Sequence, residues 1–270
     1  MRSGPNMKEN NHNSRSVPSA ELEVQQSLTE HLAELRLRIL RSLFFVLVAF
    51  IPLAIIADPL FTRLATPLME HLPSGTQMIA TEVVAPFVTP FKLAFYAAIF
   101  LAMPFILYQI WGFVAPGLYE DEQHLVRPLL VSSILLFYLG SAFAYFVVLP
   151  LIFRFLVATA PVGVSVMTDI SNYLNFILKM FLAFGIAFET PVALVMLTLT
   201  GLVEPQQLRR NRPYILVGCF VVGMLLTPPD VFSQTLLALP TYLLFELGLW
   251  ASSAVQRRRN QRGSSAHSRE

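Results

Sequence analysis

Apolar segments alternate with polar ones along most of the chain, in the pattern of a protein built from membrane-spanning helices. A bilayer core needs about 20 apolar residues per helix. The predicted spans are, in chain order, about 38–57, 87–111, 129–153, 172–199, 214–226 and 234–250. The fifth and sixth are short for a bilayer, so we expect them either to thin it locally or to stand beside an element that shields them.

Polar segments flank this apolar region at both ends. Residues 1–20 are rich in Asn and Ser and have almost nothing to bury, so we predict that residues 1–26 form a disordered tail. The spacing of Ser27 and Glu30 is that of a capping box, which predicts that the first helix begins near Ser27. The transmembrane domain is predicted over 27–252, and a basic tail over 253–270.

Two connecting segments have features of their own. Residues 59–70 carry apolar side chains at helical spacing, which predicts a short helix lying on the membrane surface. Pro116-Gly117 is predicted to end the second span, because proline cannot extend a helix. Near that end Tyr108 and Trp111 are amphipathic rings, which typically lie where lipid tails meet headgroups.

Composition agrees with this pattern. The chain has 270 residues, of which 55% are hydrophobic and 13% charged, and its mean hydropathy is +0.60. Soluble domains are roughly 25% charged, so we identify an integral membrane protein. Cys219 is the one cysteine, which excludes an intrachain disulfide.

The positive charges give the orientation. With six spans both ends of the chain lie on one side, and 15 of the 19 Lys and Arg residues fall on that side. They are Arg2, Lys8, Arg15, Arg36, Arg38, Arg41, Arg127, Arg209, Arg210, Arg212, Arg257, Arg258, Arg259, Arg262 and Arg269. Cytoplasmic loops carry the excess of positive charge, so the prediction is that both termini are cytoplasmic.

Acidic residues cluster on the same face at two places. Glu34 precedes the first span, and Glu120, Asp121 and Glu122 follow the second. Acids at headgroup level repel the anionic inner leaflet, and a cationic ligand would turn that cost into a gain. Two ordinary alternatives remain open, a solvated acidic loop and an i,i+4 pair between Glu34 and Arg38.

Glu189 is a carboxyl well inside the predicted fourth span, two residues before Pro191. An ionisable side chain there costs on the order of 2.5 kcal/mol or more and by default faces a cavity or a partner. We expect a functional carboxyl, with Thr190 and backbone freed by Pro191 as possible hydrogen-bond partners. The alternative is a protonated carboxyl that serves helix packing. Gln234 and Glu246 are weaker examples of the same argument.

Signatures of catalysis are absent from the sequence. We find no His-Glu-x-x-His, no Gly-x-Ser-x-Gly and no phosphate loop, and the five His are scattered. We therefore expect neither an enzyme nor a metal site, no cofactor, and no nucleic-acid partner.

Four motifs together resemble those of the TatC family, the receptor subunit of the twin-arginine protein translocase, over residues 28–252. They are His31-Leu32-x-Glu34-Leu35-Arg36, Phe105-x-x-Tyr108-Gln109-x-Trp111-x-Phe113-x-x-Pro116-Gly117-Leu118-Tyr119-x-x-Glu122, Phe188-Glu189-x-Pro191 and Thr227-Pro228-Pro229-Asp230-Val231-Phe232-Ser233-Gln234. The order of the four motifs makes the resemblance specific.

The resemblance implies an all-α fold, a concave bundle of six transmembrane helices with short fifth and sixth helices. It implies a protein of the bacterial cytoplasmic (inner) membrane that binds Arg-Arg signal peptides of folded cargo. Its expected partners are the single-span subunits TatA and TatB, with which it would export cargo using the proton gradient, and it is expected to self-associate in a larger complex.

Site residues follow from the same resemblance. Glu34, Glu122, Phe113 and Arg36 would bind the signal peptide, and Glu189 would face the concave pocket. Met224, Leu225, Thr227 and Gln234 would dock partner subunits. Pro67 and Asp230 match outer positions of functional interest, without an assigned role.

One function of a different class also fits part of the sequence. A proton-coupled secondary transporter of a small solute would use Glu189 as its relay, but it would leave the paired acids at the cytoplasmic surface unexplained. A purely structural membrane subunit would need neither Glu34 nor Glu122.

Overall fold

The computed structural model describes residues 18–69, 78–117, 124–158, 168–226 and 231–267. Its α-helices, in chain order, are α1 Pro18–Ile55, α2 Ala57–Met69, α3 Ala85–Val114, α4 Val126–Phe143, α5 Leu149–Ala158, α6 Ile170–Phe188, α7 Thr190–Leu199, α8 Pro205–Arg210, α9 Arg212–Leu226 and α10 Val231–His267. Two short strands, β1 Met78–Ile79 and β2 Thr168–Asp169, pair in parallel. The predicted all-α class is confirmed.

Five described helical segments are long and apolar enough to cross a membrane. They are Glu30–Ile55, Ala85–Val114, Val126–Phe155, Ile170–Leu199 and Gln234–Arg257. The predicted fifth span forms α9, an apolar helix of 15 residues, so the prediction that this helix is short is confirmed. The segment predicted to form a short helix does so as α2, and its position on the membrane surface or as a cap over the helix ends stays a prediction.

Both outermost helices are longer than expected. α1 begins at Pro18 and not near Ser27, because proline is tolerated in the first turn and the residues after it are good helix formers. The expectation of a short sixth helix is wrong, since α10 has 37 residues. Ala251 and Val255 continue its apolar face by packing on Val195 and Leu199 of α7.

α1 packs chiefly on α3. Val46 lies against Ala98 and Ala102, two small residues that let the helices approach closely. Beside this contact, Phe45 of α1 stacks on Phe105 of α3 with ring centroids 4.6 Å apart. α1 and α3 therefore form one hairpin, and α2 lies between them in the sequence.

α4 and α6 approach closely through a reciprocal pair of glycines. A Cβ at Gly140 of α4 would overlap the carbonyl oxygen of Phe184 on α6 and lie 2.8 Å from the Phe188 ring. A Cβ at Gly185 of α6 would lie 2.5 Å from the ring of Phe137 on α4. Each glycine thus receives an aromatic side chain of the other helix.

The third predicted span is interrupted by a π-helical turn over Ala144–Val148. The N–H of Leu149 donates to the carbonyl of Ala144, five residues back. Pro150, which has no N–H, follows at once and cannot continue the ordinary ladder. Ala144, Val148 and Ile152 remain in the largest described apolar core, together with Tyr173 and Met180 of α6.

The fourth predicted span consists of α6 and α7, which meet at Glu189. α10 packs on α7 beside this junction, where a Cβ at Gly248 would lie 2.7 Å from Cα of Pro191. At the other end of α6, Asp169 caps the helix and accepts hydrogen bonds from the Thr81 hydroxyl at 2.6 Å and the Asn172 N–H at 2.8 Å. The hydrogen bond from the Thr81 hydroxyl, followed by those from the backbone N–H groups of Asn172 and Thr81, lowers the pKa of Asp169 to about 2. This cap ties the segment before α3 to the start of α6.

Candidate functional site

The first and second motifs meet at one end of the α1–α3 hairpin. The ring of His31 stacks on Phe113, with centroids 4.3 Å apart and an interplanar angle of 22°. Two helical turns separate His31 from Arg38, whose guanidinium lies over Gly112. We call His31, Glu34, Arg38, Gly112 and Phe113 the end cluster. Helix packing thus brings together residues that the sequence places in two separate motifs.

Glu34 holds a guanidinium in this cluster. Its Oε1 accepts from Nε of Arg38 at 3.0 Å and from Nη2 at 2.6 Å. The i,i+4 pair that was an alternative in the sequence is therefore formed. The side chain of Arg38 is 20% exposed and that of Glu34 is 39% exposed. A half-exposed pair of this kind contributes little to stability. Its geometry demonstrates that Glu34 is oriented to accept a forked donor.

Gly112 leaves room for the guanidinium against α3. A Cβ at residue 112 would overlap Nη1 of Arg38, so a larger residue would shift the end of this flexible side chain. Arg36, by contrast, is exposed and forms no ion pair within the described part of the chain. The structure brings Glu34 and Phe113 to one cluster but leaves Arg36 on another face of α1.

The acidic loop that follows α3 lies outside the described residues. This applies to Glu120, Asp121 and Glu122. The described chain ends at Gly117, after a 3-10 turn over Ala115–Gly117 that terminates the helix as predicted. It resumes with His124.

Glu189 lies at the junction of α6 and α7, inside the candidate span Ile170–Leu199. Its Oε1 is buried and accepts no hydrogen bond from the described residues. Ser133 of α4 lies near the carboxyl, and Oγ of Ser133 accepts the Nε1 proton of Trp111 at 3.1 Å. The carboxyl therefore lies next to a buried polar pair that connects α3 and α4.

Trp111 corrects an expectation. Tyr108 is 60% exposed, in agreement with a position at the lipid boundary, but Trp111 is only 3% exposed. Its indole N–H finds a partner in Ser133, as buried Trp residues usually require. Sequence reasoning missed Ser133 as a neighbour of Glu189, because a serine within an apolar span carries no distinguishing signal.

Glu246, a weaker candidate for a buried functional carboxyl, is instead part of a cross-link between helices. Its Oε2 accepts from Nη2 of Arg212 at 2.6 Å, and its Oε1 accepts from the Tyr242 hydroxyl at 2.9 Å. The pair joins the first turn of α9 to α10. Its role in the structure is to hold the short helix in place.

The candidate partner-docking residues lie at the far end of α9 and the start of α10. Met224 is 52% exposed and Leu225 is 77% exposed, while Gln234 is half-buried where Gly223 of α9 meets α10. Thr227 and Asp230 lie outside the described residues, as does the side chain of Pro67 in α2. An apolar surface is thus presented on a helix that packs chiefly on α10.

Among the described residues no group of three or more His, Cys, Asp and Glu side chains could hold a metal ion. The chemistry available at the end cluster is the binding of a cation, and that at Glu189 is the acceptance or donation of a proton or hydrogen bond.

Comparison with known proteins gives one consistent family. The family model "Sec-independent protein translocase protein (TatC)" matches residues 30–240. The TatC protein of Escherichia coli (strain K12) is 56% identical over 231 residues, which cover 86% of this chain and 90% of that protein. The TatC protein of Azotobacter chroococcum mcd 1 is 53% identical, with 86% and 91% covered.

A solved structure agrees over nearly its whole length. It is a crystal structure of the twin-arginine translocase receptor TatC, with a TM-score of 0.75 and 36% identity. The match covers 84% of this chain and 99% of that one.

Proposed function

The chain belongs to the TatC family of Sec-independent protein translocase proteins, and on this premise we propose that it is the receptor subunit that binds Arg-Arg signal peptides. In this proposal it recognises folded cargo at the cytoplasmic face and organises the single-span subunits TatA and TatB. The proton gradient then drives export. The relatives are named as protein translocase components, and no catalytic family is indicated.

The observation that carries the proposal is the guanidinium held by Glu34 in the end cluster. A signal-peptide arginine presents the same planar fork as Arg38. Glu122, on the loop that follows Phe113, would supply the second carboxylate for the second arginine. The stacked rings of His31 and Phe113 offer an apolar edge for the residues beside the arginine pair. Arg36, on another face of α1, would contact the peptide only outside this cluster.

The membrane arrangement of the proposal has six spans with both termini in the cytoplasm of a bacterial inner membrane. Five long apolar helices and the shorter α9 support this count, and the distribution of Arg and Lys supports the orientation. Under it the end cluster is cytoplasmic, while α2 and the β1–β2 pair lie on the outer side, where Pro67 and Asp230 would also lie. The bundle is proposed to be concave, with Glu189 facing the concave side.

Export itself tests the receptor proposal and the part played by Glu189. In cells lacking their own TatC, this chain should restore export of a folded Arg-Arg cargo. Glu189→Gln keeps the shape of the side chain but removes its ionisation, so we expect export to fall about tenfold at normal membrane levels of the protein. Export is measured as the fraction of mature cargo outside the inner membrane.

The control is Glu204→Gln, which makes the same chemical change at an exposed residue before α8. It should export as well as the unmodified chain. Full export by the Glu189 variant would assign this carboxyl to packing, and failure of the unmodified chain to restore any export would contradict the receptor proposal.

Partner docking is proposed at Met224, Leu225, Thr227 and Gln234. Leu225→Asp places a charge on a surface that faces lipid or a partner helix, where a charge is costly. We expect recovery of TatA and TatB with the purified protein to fall at least fivefold, whereas signal-peptide binding remains. Co-purification in mild detergent measures both.

A matched variant separates docking from insertion into the membrane. Leu139→Asp introduces the same charge at an exposed leucine of α4, away from the proposed docking surface. It should leave partner recovery unchanged. Equal losses in the two variants would mean that the charge acts through the lipid boundary in general and would remove Leu225 from the docking surface.

A further inference from the structure

A pocket of about 230 Å³ lies where α2, α3 and α6 begin. Asp58 and Phe61 of α2 line it, with Pro86, Thr89 and Pro90 of α3 and Ile170 of α6. These residues belong to the first turns of their helices, so the pocket is at the level where the spans enter the membrane. It is on the opposite end of α3 from the end cluster.

Thr89 is the first sign that the pocket takes a ligand. Its side chain is only 1% exposed, and its Oγ1 has no hydrogen-bond partner among the described residues. Buried hydroxyls in folded proteins are nearly always paired, and an exception requires an explanation. Because Thr89 lines the pocket, a bound group that donates a hydrogen bond would satisfy this oxygen.

The other polar side chains that line the pocket are Asp58 and Thr62, and the Thr62 hydroxyl already donates to the carbonyl of Asp58 at 3.1 Å. Asp58 forms no ion pair within the described part of the chain. Pro90 has no N–H, so it cannot donate to the carbonyl of Pro86 one turn earlier. Phe61 adds an aromatic wall, a surface that tolerates a cation. A carboxylate and an unpaired hydroxyl oxygen on residues that line one cavity fit a primary ammonium group.

Lys92 supplies the complementary charge one turn further along α3. Lys92 comes three positions after Thr89, which places it about 4.5 Å further along the helix axis and deeper into the span. Its Nζ lies 3.5 Å from Oγ of Ser171, the residue after Ile170, and it forms no ion pair within the described residues. A cation without a counterion at this depth fits a phosphate that lies below the ammonium group.

We propose that this pocket binds the headgroup of an aminophospholipid, with its primary ammonium at Asp58 and Thr89 and its phosphate at Lys92. The acceptors Asp58 and Thr89 lie nearer the membrane surface, and the cation Lys92 lies deeper in the span. This order matches a headgroup whose ammonium points outward and whose acyl chains continue into the bilayer. A trimethylated headgroup has the same charge but no N–H to donate. The site therefore selects phosphatidylethanolamine over phosphatidylcholine.

Lipid competition on the purified full-length protein tests the proposal. The protein is equilibrated in mixed micelles that contain the two lipids with identical acyl chains, and the bound lipids are counted by native mass spectrometry. We expect about a tenfold preference for phosphatidylethanolamine, because charge-assisted hydrogen bonds are the strong ones. Asp58→Asn and Thr89→Val should each reduce this preference severalfold.

Lys92→Gln distinguishes the two halves of the headgroup. It should weaken binding of both lipids while the preference between them remains, because both carry a phosphate. Lys179→Gln is the control, since Lys179 is an exposed cation of α6 and, unlike Lys92, has no hydrogen bond to a neighbour of the pocket residues within the described part of the chain, so it should change neither quantity. Each variant is compared at equal recovery of monodisperse protein.

Equal retention of the two lipids by the unmodified protein would overturn the proposal, as would an unchanged preference in both Asp58→Asn and Thr89→Val. Soluble glycerophosphoethanolamine tests the source of the headgroup. Failure of this compound to displace the lipid at a hundredfold excess supports a membrane-anchored ligand, and complete displacement at equal concentration would overturn the lipid assignment.

Discussion

An Arg-Arg signal peptide should bind the purified protein at least tenfold more tightly than its Lys-Lys version, although the two peptides carry the same charge. Glu34 already accepts two N–H groups from one guanidinium, that of Arg38. Lysine cannot reproduce this fork, because its ammonium is a compact and strongly hydrated point charge. A charged hydrogen bond contributes roughly 1.5–3 kcal/mol. Replacing both arginines by lysine therefore lowers the affinity of the peptide by more than a factor of ten. Isothermal titration with the two peptides measures the difference.

Variants of the two proposed acceptors should reduce this preference. Glu34→Ala removes the carboxylate of the end cluster, and Glu122→Ala removes that of the following loop, so each should bring the Arg-Arg affinity closer to the Lys-Lys affinity. Glu30→Ala is the matched control, because Glu30 is exposed on the same helix one turn before Glu34. Equal binding of the two peptides to the unmodified protein would reduce the acids to a general electrostatic patch and contradict the receptor mechanism.

Replacing Gly140 with alanine should destabilise the protein by about 1–3 kcal/mol or more, the usual cost of overpacking a core. The added methyl group would overlap the backbone carbonyl of Phe184, and a backbone atom cannot move aside without shifting α6. The shift would also disturb the junction at Glu189, five residues further along. Thermal unfolding in detergent, followed by the loss of monodisperse protein, measures the effect as a lower Tm.

Gly218→Ala is the control for Gly140→Ala, because it changes the helix propensity in the same way without adding a steric overlap. A Cβ at Gly218 of α9 meets nothing within 4 Å, and alanine favours helix over glycine by about 1 kcal/mol. This variant should therefore be as stable as the unmodified protein or slightly more stable. A Gly140→Ala protein that unfolds at the same temperature as Gly218→Ala would show that α4 and α6 can separate without cost.

The membrane-spanning helices could be predicted because a run of apolar residues is visible within a short stretch of sequence. The predicted second span, 87–111, lies within α3, and Pro116-Gly117 marks the end of that helix. The ends of α1 and α10 could not be predicted, since polarity indicates where a helix leaves the membrane and not where it stops. Residues such as Val255 continue α10 because they pack on α7, and that contact is not visible from composition.

The same distinction applies to the candidate sites. Glu34 and Glu189 could be selected as candidates because charges near or within apolar segments are rare, and the resemblance assigned Phe113 to the same candidate site as Glu34. The environment of Glu189 could not be predicted, because Ser133 lies near it from α4 and Trp111 of α3 binds Ser133. Trp111 was predicted at the lipid boundary from its type alone, and only the packing of α3 on α4 reveals that it is buried.

The hairpin of α1 and α3 has a consequence for biosynthesis. α1 finds its described contacts chiefly on α3, and both helices precede the later spans in the order of synthesis. The pair can therefore assemble in the bilayer while the rest of the chain is still being translated, and the end cluster forms with it. α7 differs, because its main partner is α10, the last of the described helices. Until α10 has been made, the junction at Glu189 lacks the helix that packs against Pro191, so this half of the protein is completed later than the hairpin.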